Sequence, residues 1–148
     1  MNEDLKEAIM LFEDVLVHGT ERVLKHVDAA VWKEHSPEQI RLMKIIESYG
    51  PVPSGRLAEL QGVHKSAISN RLKKLTEKGL VIIERTEGDQ RTKLVLLTDA
   101  GREVVQASDE AIYQYLKKLI DGQFSEGEAE EFVRIFRRLK EILKLEEV

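Results

Sequence analysis

The sequence predicts a mainly α chain with one small β-hairpin, three short helices ahead of the hairpin and long helices at both ends. Three observations lead there. Apolar residues recur at helical spacing over most of the chain, two β-rich runs interrupt that period between Leu80 and Leu97, and capping signals precede most of the helices. The composition agrees, since 42% of the 148 residues are apolar and 34% charged, the balance of a helix-rich globular chain able to build its own core.

Leu5, Ile9, Phe12, Leu16, Val23, Val27 and Val31 fall near helical spacing with charges between them, so the spacing predicts one helix from about Asn2 to Trp32. Gly19 sits inside it at modest cost. A helix of that length is about 40 Å long at 1.5 Å per residue, more than so small a monomer can cover, and it implies a partner chain. Ser36-Pro37-Glu38-Gln39 predicts the next start, with Ser36 as cap, Pro37 at the first position and Gln39 completing a capping box. That helix carries Ile40, Met43 and Ile46 and stops at Tyr49-Gly50-Pro51. Ser54 is read as the cap of a short helix with Leu57, Ala58 and Leu60 inward, ended by Gly62. A further helix runs from about Lys65 to Lys78 with Ile68, Leu72 and Leu75 on one face, closed by Gly79. Leu80–Arg85 and Thr92–Leu97 read as strands joined by Glu87-Gly88-Asp89-Gln90. Thr98 caps a helix to about Asp121-Gly122, and Ser125 with Glu128 opens the last one, with Phe132, Phe136, Leu139 and Ile142 on one face.

The formal net charge of −4 hides an uneven distribution. Between Ser54 and Leu97 nine basic residues face five acidic ones, whereas the rest of the chain holds fourteen basic and twenty-two acidic. A basic middle between acidic flanks suits a middle that meets a polyanion. The same stretch holds a helix-turn-helix pattern: a small Ala58 where two helices cross, Gly62 in the turn, and Ile68 locking the pair, with Leu57, Val63 and Leu72 completing the buried contact. Lys65, Ser66, Ser69, Asn70 and Lys73 then point outward, a set of donors and base-edge readers. The hairpin that follows carries Arg85 at its base and Arg91 beyond its tip, placed to touch phosphates or a minor groove.

At this point the chain resembles the MarR family (multiple antibiotic resistance type) of bacterial transcriptional regulators. The resemblance rests on the helix-turn-helix and wing, on Asp89-Gln90-Arg91 followed by Leu97-Thr98 and Gly101, and on Gly79-Leu80-Val81. It covers the whole chain, because that family adds long terminal helices that pair into a dimer. It implies a winged helix-turn-helix lobe over 36–97 and dimerisation helices over 1–35 and 98–148. It also implies that Arg91 reaches DNA from the wing and that Asp89 supports the wing by pairing with a nearby arginine. Gln90, His64 and Asn70 depart from residues common in the family, which leaves the operator sequence open.

The expected function is therefore a cytoplasmic, dimeric DNA-binding regulator, a repressor of transcription, reading double-stranded DNA with inverted half-sites. Its expected DNA contacts are Ser54, Lys65, Ser66, Ser69, Asn70, Arg71, Lys73, Arg85 and Arg91. A winged-helix module that binds protein instead of DNA is the alternative, and the outward readers on the Lys65–Lys78 helix speak against it. Trp32, Tyr49 and Tyr113 are candidates to line an effector pocket, for which the resemblance implies a small aromatic or phenolic anion. No enzyme is expected, because no phosphate loop, nucleophile set or convergent carboxylate pair is present. No cofactor and no metal are expected. The absence of cysteine removes thiolate sites and thiol redox sensing, and although Asp14, His18 and His26 share one stripe, the helix after the wing holds no histidine. No apolar run approaches a membrane span and the first residues lack a signal-peptide layout, so no membrane is expected.

Overall fold

The computed structural model describes residues 2–86 and 88–145, the side chains of 86 and 89–92 excepted. In chain order the elements are α1 (Glu3–His26), α2 (Ala30–Glu34), α3 (Pro37–Tyr49), β1 (Val52–Pro53), α4 (Ser54–Gln61), α5 (Lys65–Glu77), β2 (Val81–Thr86), β3 (Asp89–Leu97), α6 (Asp99–Ile120) and α7 (Glu126–Leu143). The sheet is antiparallel in the order β1-β3-β2, with Val52 opposite Val95 and Ile83 opposite the same residue from the other side.

One core serves the lobe. Leu42, Met43 and Ile46 of α3 meet Leu57 of α4, Leu75 of α5, Val81 and Val95 of the sheet, and Val105 of α6, all fully buried. Each burial of an aliphatic side chain of this size contributes about 1.5–3 kcal/mol. The long helices stand outside that core: among the described residues α1 and α7 contain no buried side chain.

The sequence-based reading holds for the order and type of the main elements and needs correction at five places. The first helix does not continue to Trp32. It ends at His26, because Val27 turns to extended geometry (φ −87°, ψ 118°) and the chain re-enters as α2. The break lets Ala29 bury and lets the Trp32 indole N–H donate to Ser108 Oγ of α6 at 3.0 Å, so tertiary docking overrides a continuous apolar period. Ser54 is not a cap: Pro53 holds that position, and Ser54 is the first helical residue. Val52–Pro53, assigned to no element in that reading, is the short third strand β1. Ser36 does cap α3 by accepting from the Gln39 amide N–H at 3.1 Å, but the Gln39 side chain turns away from the cap and accepts instead from Lys78 Nζ. Finally the hairpin is tighter than expected, since Asp89 and Gln90 already belong to β3, with an irregularity between Arg85 and Thr86. Glu87 of the expected loop lies outside the described residues.

Two junctions position the α5–wing unit. At the end of α5, Leu80 N–H donates to Leu75 O (2.9 Å) and Gly79 N–H to Thr76 O (3.0 Å), with Gly79 at φ +72°, a left-handed helix stop that needs glycine. The start of α6 latches onto that stop. Thr98 Oγ1 donates to Gly79 O (2.7 Å) while accepting from the Gly101 N–H (3.1 Å), and the Thr98 N–H donates to Leu80 O (3.1 Å). Gly101 is required by proximity, because a Cβ there would collide with the Leu80 carbonyl. Gly79-Leu80 and Leu97-Thr98-Asp99-Ala100-Gly101 are therefore two halves of one joint.

Candidate nucleic-acid interface

Helix α4 stops at Gly62, whose left-handed φ of +68° turns the chain sharply into α5. Val63 N–H donates to Ala58 O and Gly62 N–H to Glu59 O, which satisfies the end of α4 within the turn. His64 opens α5 through its backbone, its carbonyl accepting from Ala67 and Ile68, while its ring Nδ1 sits 3.3 Å from Ser66 Oγ. Ile68, Leu72 and Leu75, spaced by four and three residues, place one face of α5 into the core.

The opposite face is the candidate site. Lys65, Ser66, Ser69, Asn70 and Lys73 are all exposed. Arg71 is different: it is half-buried, and its Nη1 donates to Gln61 Oε1 at 2.7 Å. Gln61 is itself buried and its Nε2 donates to Glu38 O at 3.1 Å, so Arg71 is tied through α4 to the first turn of α3. Ser54 is half-buried at the start of α4. Arg85 is exposed on β2 and stands opposite the exposed Lys93 of β3, which puts two cations side by side on the wing. The backbones of Asp89 and Arg91 belong to β3; their side chains lie outside the described residues, and so do the roles expected of them.

Sequence reasoning missed a polar cluster at the far end of α5. Lys78 Nζ donates to Glu34 O (2.8 Å) and Gln39 Oε1 (3.2 Å) and lies 3.1 Å from His35 Nδ1. His35 is buried, and desolvation followed by the nearby Lys78 charge holds its pKa below the usual 6.5, Glu34 opposing weakly. Gln61 had a detectable signal, because 57, 58 and 61 share the inward face of α4. The Lys78 partners had none.

The three candidate pocket aromatics stand in different settings. Trp32 and Tyr49 pack half-buried against the core. The Tyr49 hydroxyl accepts from the Leu145 N–H at 3.2 Å, and Lys144 Nζ sits 5.2 Å from its ring centre. Tyr113 is exposed and lines an open depression on α6 with Glu103, Gln106, Ala107, Asp109 and Glu110. Along α1 the His18 ring pairs with Glu21 (3.7 Å) and the His26 ring stacks on Tyr115 (centres 6.0 Å apart). Among the described residues no group of three or more His, Asp or Glu side chains is placed to hold a metal ion. Nor is any helix among the described residues long and apolar enough to cross a membrane.

Comparison with known proteins agrees with this architecture. The model of the MarR family matches residues 36–92, the span from the Ser36 cap through the wing. Over 147 residues the chain is 45% identical to the uncharacterized HTH-type transcriptional regulator YdgG of Bacillus subtilis (strain 168), covering 97% of this chain and 96% of that protein. A MarR family protein from Bacillus stearothermophilus shares the fold with a TM-score of 0.72 at 20% identity, over 97% of this chain and 99% of that one. A mutant of S. aureus MepR bound to an oligodeoxyribonucleotide does so with a TM-score of 0.57 at 17% identity, again over 97% and 99%. The two structures establish the fold; the full-length relative and the family match establish kinship. The chain belongs to the MarR family of HTH-type transcriptional regulators, DNA-binding proteins and not enzymes.

Proposed function

We propose that the protein is a cytoplasmic homodimeric repressor that binds specific double-stranded DNA through α5 and the wing, and releases it when a small aromatic or phenolic ligand binds. One observation carries the reading: α5 buries Ile68, Leu72 and Leu75 and leaves Lys65, Ser66, Ser69, Asn70 and Lys73 exposed on one face. Serine, asparagine and lysine there supply donors and acceptors for base edges without the repulsion a carboxylate would bring to phosphate. On this reading Ser54 and Arg71 join that face in contacting DNA, Arg85 and Arg91 carry the contact onto the wing toward phosphate or minor groove, and Asp89 supports the wing. The exposed apolar residues of α1 and α7 support the dimer, because a lone chain has no cover for them.

Selection of bound duplexes from random DNA tests the main claim. An inverted repeat should emerge, and a failure to enrich any sequence would return the chain to a protein-binding winged helix. The ligand half is tested by titrating small aromatic acids with and without the selected duplex. A ligand shifts the DNA-bound population only through unequal affinity for the two states, and operator must then weaken ligand binding by the same factor. Equal binding in both titrations would remove the ligand and leave control by abundance.

A further inference from the structure

Lys78 closes α5 as its last cap, where helices favour a cation, yet its ammonium reaches away from the helix to the corner between α2 and α3. An ammonium has three protons and no acceptor capacity. Here its three partners are Glu34 O at 2.8 Å, His35 Nδ1 at 3.1 Å and Gln39 Oε1 at 3.2 Å, one acceptor for each proton. His35 Nδ1 can fill that role only with its lone pair, so the ring must be neutral with its proton on Nε2. The corner that receives Lys78 is anchored in turn: Trp32 of α2 is bonded to Ser108 of α6 at 3.0 Å. The end of α5 is thus linked through two side-chain contacts to the long helix outside the lobe.

We propose that Lys78 is a positioning residue that clamps the C-terminal end of the DNA-reading helix to the α2–α3 corner, and that the clamp holds only while His35 is uncharged, so that acidification weakens DNA binding. The charged groups facing His35 are Lys78 from the end of α5 and Glu34 from α2; Gln39 of α3 is neutral. A proton on Nδ1 would set an N–H against the ammonium, and two cations would share a corner in which the His35 side chain is 8% exposed. The Glu34 carboxylate, 3.8 Å from Nε2, is largely in solvent and its attraction is screened. The charge of Lys78 is accordingly spent on helix placement and not on phosphate. Displacing it frees the end of α5 to tilt, which moves Ser69, Asn70 and Lys73 off their base edges together.

The functional half of this proposal rests on the DNA-binding reading, so the test has one arm with DNA and one without. In the free protein, histidine NMR should show His35 as the Nε2–H tautomer, gaining its proton below the ordinary histidine range, and Lys78→Met should move that titration upward. An Nδ1–H tautomer, or a titration indifferent to Lys78→Met, overturns the clamp. In the second arm the probe is a duplex selected from random DNA, with His35→Asn as comparison, because asparagine keeps an acceptor near the Nδ1 position and gains no proton. Between about pH 7.5 and about pH 5.5 the wild type should lose roughly fivefold or more in affinity relative to His35→Asn, the lower end of ordinary coupling between sites. His64, at the start of α5, is common to both proteins, so the comparison isolates His35. Lys78→Met should bind weakly at both pH values and Lys78→Arg should restore much of the loss, with thermal melts confirming that each variant is folded. Equal pH slopes for wild type and His35→Asn overturn the acid-sensitive function. If wild type binds no duplex at any pH, the DNA-binding reading fails as well, while the NMR arm still decides whether the clamp exists.

Discussion

Asn70 and Arg85 both face solvent, yet truncating them should have different consequences. Asn70 stands mid-way along the exposed face of α5, where an amide can pair bidentately with a base edge. Asn70→Ala should cost about 1–3 kcal/mol at particular base pairs and little on random DNA. Arg85, on the wing, should act through phosphate, so Arg85→Ala should weaken all duplexes alike and lower the salt-dependence slope by about one. Competition binding over a range of salt separates the two, and an equal loss from Asn70→Ala on operator and random DNA would remove its role as a reader. His35 sets a second expectation at this scale. Its pKa is lowered by folding, so the unfolded chain takes up the proton first as the pH falls. Its contribution to stability should be intact above 6.5, decline below it, and be lost once the pH passes the folded value. Urea unfolding of wild type and His35→Asn should diverge in that window; parallel curves would show that His35 is not held neutral by the fold. The outward set on α5 was readable from the sequence because helical spacing assigns each side chain a face. The Arg71–Gln61 and Lys78–His35 contacts were not, since the latter joins residues 43 apart and depends on how long side chains reach across a corner.

At the scale of elements, most helix starts were readable, because a cap is a local chemical event: Ser36, Thr98 and Ser125 each accept the backbone N–H expected of them. Where the structure departed from the reading, tertiary contacts decided. The apolar period of the first helix runs on past Val27, and only docking of Trp32 on α6 explains the break. A strand of two residues carries no period to detect, and β1 exists because β3 offers it an edge. The joint between α5 and α6 yields a test of packing. Gly101→Ala should destabilise the protein by about 1–3 kcal/mol, the usual cost of overpacking a close contact, because the Leu80 carbonyl is backbone and cannot swing aside. Gly127→Ala, where an added methyl meets open space in α7, is the matched control and should be neutral or mildly stabilising. Equal denaturation midpoints for the two variants would show that the α5–α6 joint relaxes freely.

For the whole molecule the deciding feature is what a single chain leaves uncovered. Leu5 and Ile9 on α1 are each 54% exposed, and Phe132 and Phe136 on α7 are 44% and 49% exposed, while neither helix buries a side chain within the chain. The isologous two-fold dimer proposed above would cover such faces and fix the relation between two copies of α5. Sedimentation should find a dimer at micromolar concentration, and Phe136→Glu should convert it to a folded monomer. The geometry of the DNA site then follows from symmetry. Two copies of α5 related by a two-fold axis must read inverted half-sites on one face of the duplex, with centres about one helical turn, roughly 10 bp, apart. Monomeric Phe136→Glu should lose operator affinity steeply while keeping weak, salt-sensitive binding to any duplex, because each lobe retains its own cations. Inserting about 5 bp between half-sites rotates one half-site by half a turn and should abolish tight binding by the wild type. A dimer that tolerated the insertion would need lobes free to rotate about each other. The Thr98–Gly79 latch and the Trp32–Ser108 bond, which fasten the lobe to α6 on two sides, argue against that freedom.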